Sequence, residues 1–157
     1  LNIPVILDES DDHPDVLAKG LALGYRGISS KACKGIYRSL HSASLVQTTP
    51  HCLLSGEDLT CQAGLGVQQD TLLATSLGVQ HIERNGHHYV KGFGIAPLLE
   101  SNDFAKAHAD LYTSSSSGVH LNVQQGQIHI ASLHQTGFGH QAWPDWQSLD
   151  PISIQAN

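Results

Sequence analysis

The chain has 157 residues, 40% hydrophobic and 14% charged, which is the balance of a globular protein and not of a disordered one. Eight Lys and Arg against fourteen Asp and Glu leave a net charge of −6, which argues against nucleic acid or an anionic membrane as the main partner. No apolar run approaches the roughly 20 residues of a transmembrane helix, and three cysteines without Cys-x-x-Cys spacing suit reduced thiols in a cytoplasmic setting.

The chain opens on "LNIPVIL", already apolar and β-like, and it contains no methionine. Neither a translated start nor a cleaved secretory one reads this way, so a piece of a longer chain is expected. "IPVILD" predicts a first strand that runs into an acidic tip, "DESDD", with no Lys or Arg close in sequence. "HPDVLAKGLALG" predicts a helix with Pro14 in its first turn and Gly24 at its end, Asp12 or Asp15 helping it to start. "YRGISSK" is the second strand, and "CKGIYRSLHSASLVQ" the second helix, with Ile36, Tyr37, Leu40 and Ala43 on one apolar face. "HCLLSGED" is the third strand, "VQQDTLLATSLG" the third helix closing at Gly78, and "QHIERNG" the fourth strand.

These strands begin near residues 3, 26, 51 and 80. Strands separated by helices lie parallel, because each crossover returns the chain to the same end of the sheet. A spacing near thirty residues matches one unit of a (β/α)8 barrel, so the α/β class is expected, as four βα units making the C-terminal half of a TIM-type barrel. A doubly wound sheet is the other arrangement open to four parallel strands. After Gly86 the cadence stops. "PLLESNDFAKAHADLYT" predicts a helix with Phe104, Ala107 and Leu111 on one side, "TSSSSG" a loop, and "VHLNVQQGQIHIASL" a hairpin turning about Gly126. The expected organisation is a partial barrel over 1–96, a helix and hairpin over 97–139, and a tail over 140–157 that carries Trp143 and Trp146.

Polar residues gather where each strand finishes: Asp8 and Glu9, then Lys31, then Glu57 and Asp58, then Glu83 to His88. Strand carboxyl ends are where parallel architectures build their sites. Asp8 shares a strand face with Ile6, and a carboxylate there suits either a cation such as Mg2+ or a pairing with Lys31 one strand over. A desolvated ammonium can serve in proton transfer, whereas Lys34 reads as an ordinary surface lysine. Glu9, Glu57, Asp58, Glu83, Asn85, His87 and His88 are candidate supporting or substrate-contacting groups. No further ligands at zinc spacing accompany the two adjacent histidines. In "AGLGVQQD", Gln69 stands where a GxGxxG motif needs its third glycine, so the stretch reads as a loop and not a phosphate cradle.

"PVILDES" followed by "GYRGISSKACKGIYRSL" resembles the fifth and sixth barrel strands of the enolase superfamily, in its mandelate racemase and muconate-lactonizing branch. "SGEDLTCQAGLGVQQDTLLATSLG", "HIERNGHHYVKGF" and "LNVQQGQIHIASLHQTGFG" are similar, in order, to the seventh unit, the eighth strand with its loop, and the segment returning to the capping domain. The resemblance reaches to about Gly139. It implies Asp8 as a Mg2+ ligand, Lys31 as an acid/base group and Glu9 as a lysine-positioning carboxylate. It further implies proton abstraction α to the carboxylate of a small substrate, a sugar acid by preference, in a lyase or isomerase whose intact parent is a homo-oligomer. The third strand ends in Gly-Glu-Asp without the His of the racemases, which favours the lysine-type branch. The family's other metal carboxylates and its Lys-x-Lys motif belong to earlier strands, so the 157 residues alone are expected to be inactive. The alternative is a non-enzymatic doubly wound domain that binds a cation or signals.

Overall fold

The computed structural model describes residues 3–57, 61–84, 92–137 and 139–150. It is a mixed α/β protein built on a parallel sheet. Strand β1 (Gly27–Ser30) lies between residues 3–7 and β2 (Leu53–Glu57), and β3 (Ile82–Glu83) follows β2. Residues 3–7 join through a Leu7–Ile28 bridge, with Arg26 N–H donating to Val5 C=O at 2.7 Å and Leu7 N–H to Gly27 C=O at 2.9 Å. The connections are helical as the spacing predicts: α1 (Val16–Ala22), α2 (Ile36–Thr48) and α3 (Leu65–Ser76).

The register explains which side chains reach the site. Ile28 pairs with Leu54 and Ser30 with Gly56. Ile28 joins Leu7, Leu17 and Val46 in a core between the sheet and helices α1 and α2, and Ser30 hydroxyl donates to Ser39 on α2. Alternation therefore sends Ser29 and Lys31 to the opposite face. Gly27 is required where β1 meets β2: its φ is +148°, and a Cβ there would lie 1.9 Å from Leu53 C=O.

Helix α2 buries Ala43 as expected but turns the rest of the predicted face outward. Ile36, Leu40 and above all Tyr37, 89% exposed, point outward, while Ser39, Ser42, Ala43 and Val46 are buried. Small and hydroxyl side chains let the helix lie close to the sheet, and that geometric demand outweighs the apolar count. At the start of α1, Asp15 stands at the N-cap without capping; its carboxylate pairs with Lys19 and His13, which together hold its pKa down at about 2.

The remainder forms a second layer. Helix α4 (Leu98–Ala107) leads into β4 (Tyr112–Ser115), paired antiparallel with β5 (Gly118–Leu121), and a smaller hairpin joins β6 (Val123–Gln124) to β7 (Gln127–Ile128). There are thus two hairpins where one was expected, and the serine run read as a loop supplies a strand and its turn. Tyr112 anchors that strand in the core while the serines take its exposed edge. The predicted turn at Gly126 is present, with Gln125 and Gly126 both at positive φ as a tight hairpin turn requires. A larger core of Val67, Phe93, Phe104, Leu111, Tyr112, Val119, Leu121, Leu133 and Ala142 ties these hairpins to α3. Its members come from both sides of residue 96 and include one from the expected tail. Among the described residues no helix is long and apolar enough to cross a membrane, and Cys33, Cys52 and Cys61 form no disulfide with one another.

Candidate functional site

Lys31 follows β1 in extended conformation, φ −126° and ψ 118°, before the 3-10 turn Ala32–Lys34. Because Ser30 is paired with Gly56, the next level of the sheet brings Lys31 beside Glu57 on one face. Asp8 and Glu9 reach the same point from the carboxyl end of residues 3–7. Lys31 Nζ lies 2.8 Å from Asp8 Oδ1, 2.7 Å from Glu9 Oε1 and 3.0 Å from Glu57 Oε2. An ammonium has three N–H donors, and each of the three carboxylates can take one.

The partners differ in accessibility. The Lys31 side chain is 2% exposed and Glu57 14%, against 49% for Asp8 and 84% for Glu9. Glu57 is thus the enclosed counter-ion, and the other two are able to turn to solvent or to a ligand. Burial works against the charged ammonium, but hydrogen bonds to Asp8, Glu9 and Glu57 outweigh it, so the pKa of Lys31 is raised above the ordinary lysine value. The ammonium cancels one of three negative charges and leaves the cluster acidic. One oxygen from each carboxylate lies within 4.8 Å of the others, an all-oxygen set of the kind a hard divalent cation prefers.

Beside the cage sits a second ionic group. Asp11, buried, accepts from Arg38 at 2.7 Å and from Lys34 at 3.3 Å, and Lys34 also donates to the Asp11 backbone carbonyl at 2.7 Å. Lys34 is therefore a clamp on the acidic loop and not the free surface lysine expected. The acidic tip is thus partly offset by cations arriving from the end of β1, the turn after it and the first turn of α2.

Of the remaining candidates, Glu83 ends β3 in register with Glu57 and is exposed, while Asp58, Asn85, His87 and His88 lie outside the described residues. Sequence reading missed Asp11, and also Asp70, which is buried on α3 and accepts from Arg84 while Arg84 donates to Thr71 Oγ1 at 2.6 Å. A signal for Asp70 was there: it falls three residues after Val67 and four before Ala74, on the buried stripe of the helix, where an acid needs a cation. Two clefts of about 530 and 410 Å³ lie at the start of β2 and beside β3, and neither is lined by Lys31. The chain matched no protein-family model, no curated protein and no solved structure.

Proposed function

We propose that the chain supplies the last four strands of a (β/α)8 barrel of the enolase-superfamily kind, in a longer Mg2+-dependent enzyme that removes the proton α to a substrate carboxylate. A sugar acid is the favoured substrate class, with dehydration, racemisation or isomerisation as the outcome. The observation that carries this reading is the meeting of Lys31 with Asp8, Glu9 and Glu57 at the carboxyl ends of adjacent parallel strands. Strand order adds support. Within the parallel sheet, residues 3–7, β1, β2 and β3 lie side by side in chain order, whereas a doubly wound sheet reverses at a switch point.

The donor set fits a hard cation, since it offers carboxylate oxygens alone, close enough to converge. Asp8 is the ligand in this reading, and earlier strands of the longer chain provide the others. Mg2+, when bound, would neutralise the negative charge that develops on the substrate carboxylate. Lys31 holds its Nζ protons against the same carboxylates. Its partners hold it protonated, so in this geometry it donates, either to the α-carbon or to a departing β-hydroxyl. Base work requires it first to lose that proton, which is favoured when the exposed Asp8 and Glu9 turn outward. Glu57 then keeps Nζ in place. Three cysteines without a disulfide fit a reducing, cytoplasmic setting, and a homo-oligomeric parent belongs to the same proposal.

A screen of acid sugars against the full-length protein, titrated with Mg2+, tests this directly. Turnover that requires Mg2+ and falls at least 1,000-fold in Lys31→Ala is expected from the loss of a group that transfers the proton; turnover unchanged in that variant contradicts it. One observation favours a second reading. All three Lys31 donors are satisfied within the chain, as a structural ion network in a non-enzymatic cation-binding or signalling domain requires. On that reading Lys31→Ala changes stability and there is no turnover to lose.

A further inference from the structure

A polar cluster far along the chain from Lys31 joins the end of α4 to the C-terminal segment. His108, fully buried just past α4, shares a 2.9 Å hydrogen bond through Nδ1 with Ser132 Oγ. Ser132 N–H donates to Asp110 Oδ2 at 2.9 Å, and Ser132 C=O accepts from Gln141 Nε2 at 3.2 Å. His140 Nε2 lies 3.2 Å from Gln69 Nε2 on α3, and its ring meets Trp143 edge-on at 5.1 Å. Ser132 is thus the point at which α4 and the segment bearing His140 and Gln141 are tied together. Leu133, next to it, is buried in the larger core beside Ala142.

Three atoms of this cluster are buried without a hydrogen-bond partner among the described residues: His108 Nε2, Asp110 Oδ1 and His140 Nδ1. For a fully buried imidazole that is an argument about charge. A neutral ring satisfied at one nitrogen is tolerable, but an imidazolium carries a second N–H and a full charge into the same enclosed space. We infer that His108 is an acid-sensitive latch: neutral, it holds Ser132 and the C-terminal segment against α4; protonated, it releases them while the parallel sheet and the Lys31 cage stay folded.

The groups acting on the ring set the direction. Burial lowers the pKa of His108 below the ordinary histidine value, Asp110 on its own turn works against that shift, and His140 from the C-terminal segment adds to it. Asp110 is itself held below the ordinary carboxylate range through its contact with Ser132, despite burial, so it stays charged over the acid range considered. Ser132, on the 3-10 turn, and Gln69, on α3, are neutral. Since the latched ring has the lower pKa, the latch is at full strength above about pH 6.5, where the released ring begins to charge. It weakens as pH falls from there toward the latched value, by about tenfold in the opening equilibrium per pH unit.

Amide hydrogen exchange read residue by residue tests this, with rates corrected for the intrinsic effect of pH. Between pH 6.5 and 5.5 the Ser132 and Leu133 amides should lose protection, by up to about fivefold, the Val46 amide of α2 should not change, and His108→Gln should abolish the loss. No loss of protection at Ser132 and Leu133, or the same loss in His108→Gln, overturns the latch. Should the Gln variant fail to fold, the wild-type His108 ring titrated by NMR decides: a midpoint below the ordinary value near 6.5 supports the latch, and one at or above it contradicts it.

Discussion

Lys31 and its three carboxylates show how burial ranks otherwise similar residues. Glu57 is enclosed, so Glu57→Ala strips the ammonium of the one counter-ion that water cannot replace, and should cost about 2–3 kcal/mol in urea unfolding. Asp8→Ala and Glu9→Ala, at exposed positions, should each cost less than about 1 kcal/mol. An equal cost for all three would mean that the cage is solvated throughout. Tyr112 gives a pH test of the larger core. Burial pushes its phenol up to about 12, against hydrogen bonding with Gly64 and Gln68. The folded state therefore keeps a proton that the unfolded chain releases near pH 10, and stability should fall between about pH 10 and 12 by roughly 2–3 kcal/mol. In Tyr112→Phe this part of the decline disappears, at the expense of the hydrogen bond from Gly64 N–H. Lys31 and Asp8 could be found in the sequence because polar residues at the ends of apolar strands are conspicuous. Asp11 could not be assigned, because its partners Lys34 and Arg38 are more than twenty residues away and meet it only in three dimensions.

At the level of elements, hydrophobic periodicity located helices α1 to α3 and the strands between them, since alternating βα units leave a regular spacing. It misjudged which face of α2 is buried, because the pattern counts apolar residues and cannot register how closely a helix must approach its sheet. Ser39→Leu should therefore cost about 1–3 kcal/mol through overpacking, and Tyr37→Ser less than about 0.5 kcal/mol, both read from thermal or urea unfolding. The reverse order would restore the apolar face to the core. The second hairpin was missed for a related reason. A run of serines has the composition of a loop, and the pairing of Thr113 with His120 and Ser114 with Val119 depends on a partner strand and on Tyr112 in the core. Gly27→Ala should disrupt the pairing of β1 with β2, where the added methyl meets the Leu53 carbonyl, and should lower the thermal midpoint by more than any surface substitution.

Across the whole molecule, the sheet is flanked by the segment of residues 3–7, bridged to β1 at Leu7, whose Ile3 and Val5 are exposed. An apolar edge of this kind invites further strand pairing. The 157 residues by themselves should thus associate in sedimentation experiments, and Val5→Lys should reduce that association; a sharp monomer for the unaltered chain would speak against an incomplete sheet. The βα spacing made the parallel arrangement legible from sequence, because it is a local repeat. Closure into a barrel is a long-range property to which no short stretch testifies.

The most direct test of the account is exchange of the α-proton of sugar acids in D2O with Mg2+, followed by proton NMR in the full-length protein. Exchange that is lost in both Lys31→Ala and Asp8→Asn is the predicted result. Exchange that persists in Lys31→Ala, or is absent from the unaltered protein across the acid-sugar panel, contradicts the claim that these strand ends form one acid/base site.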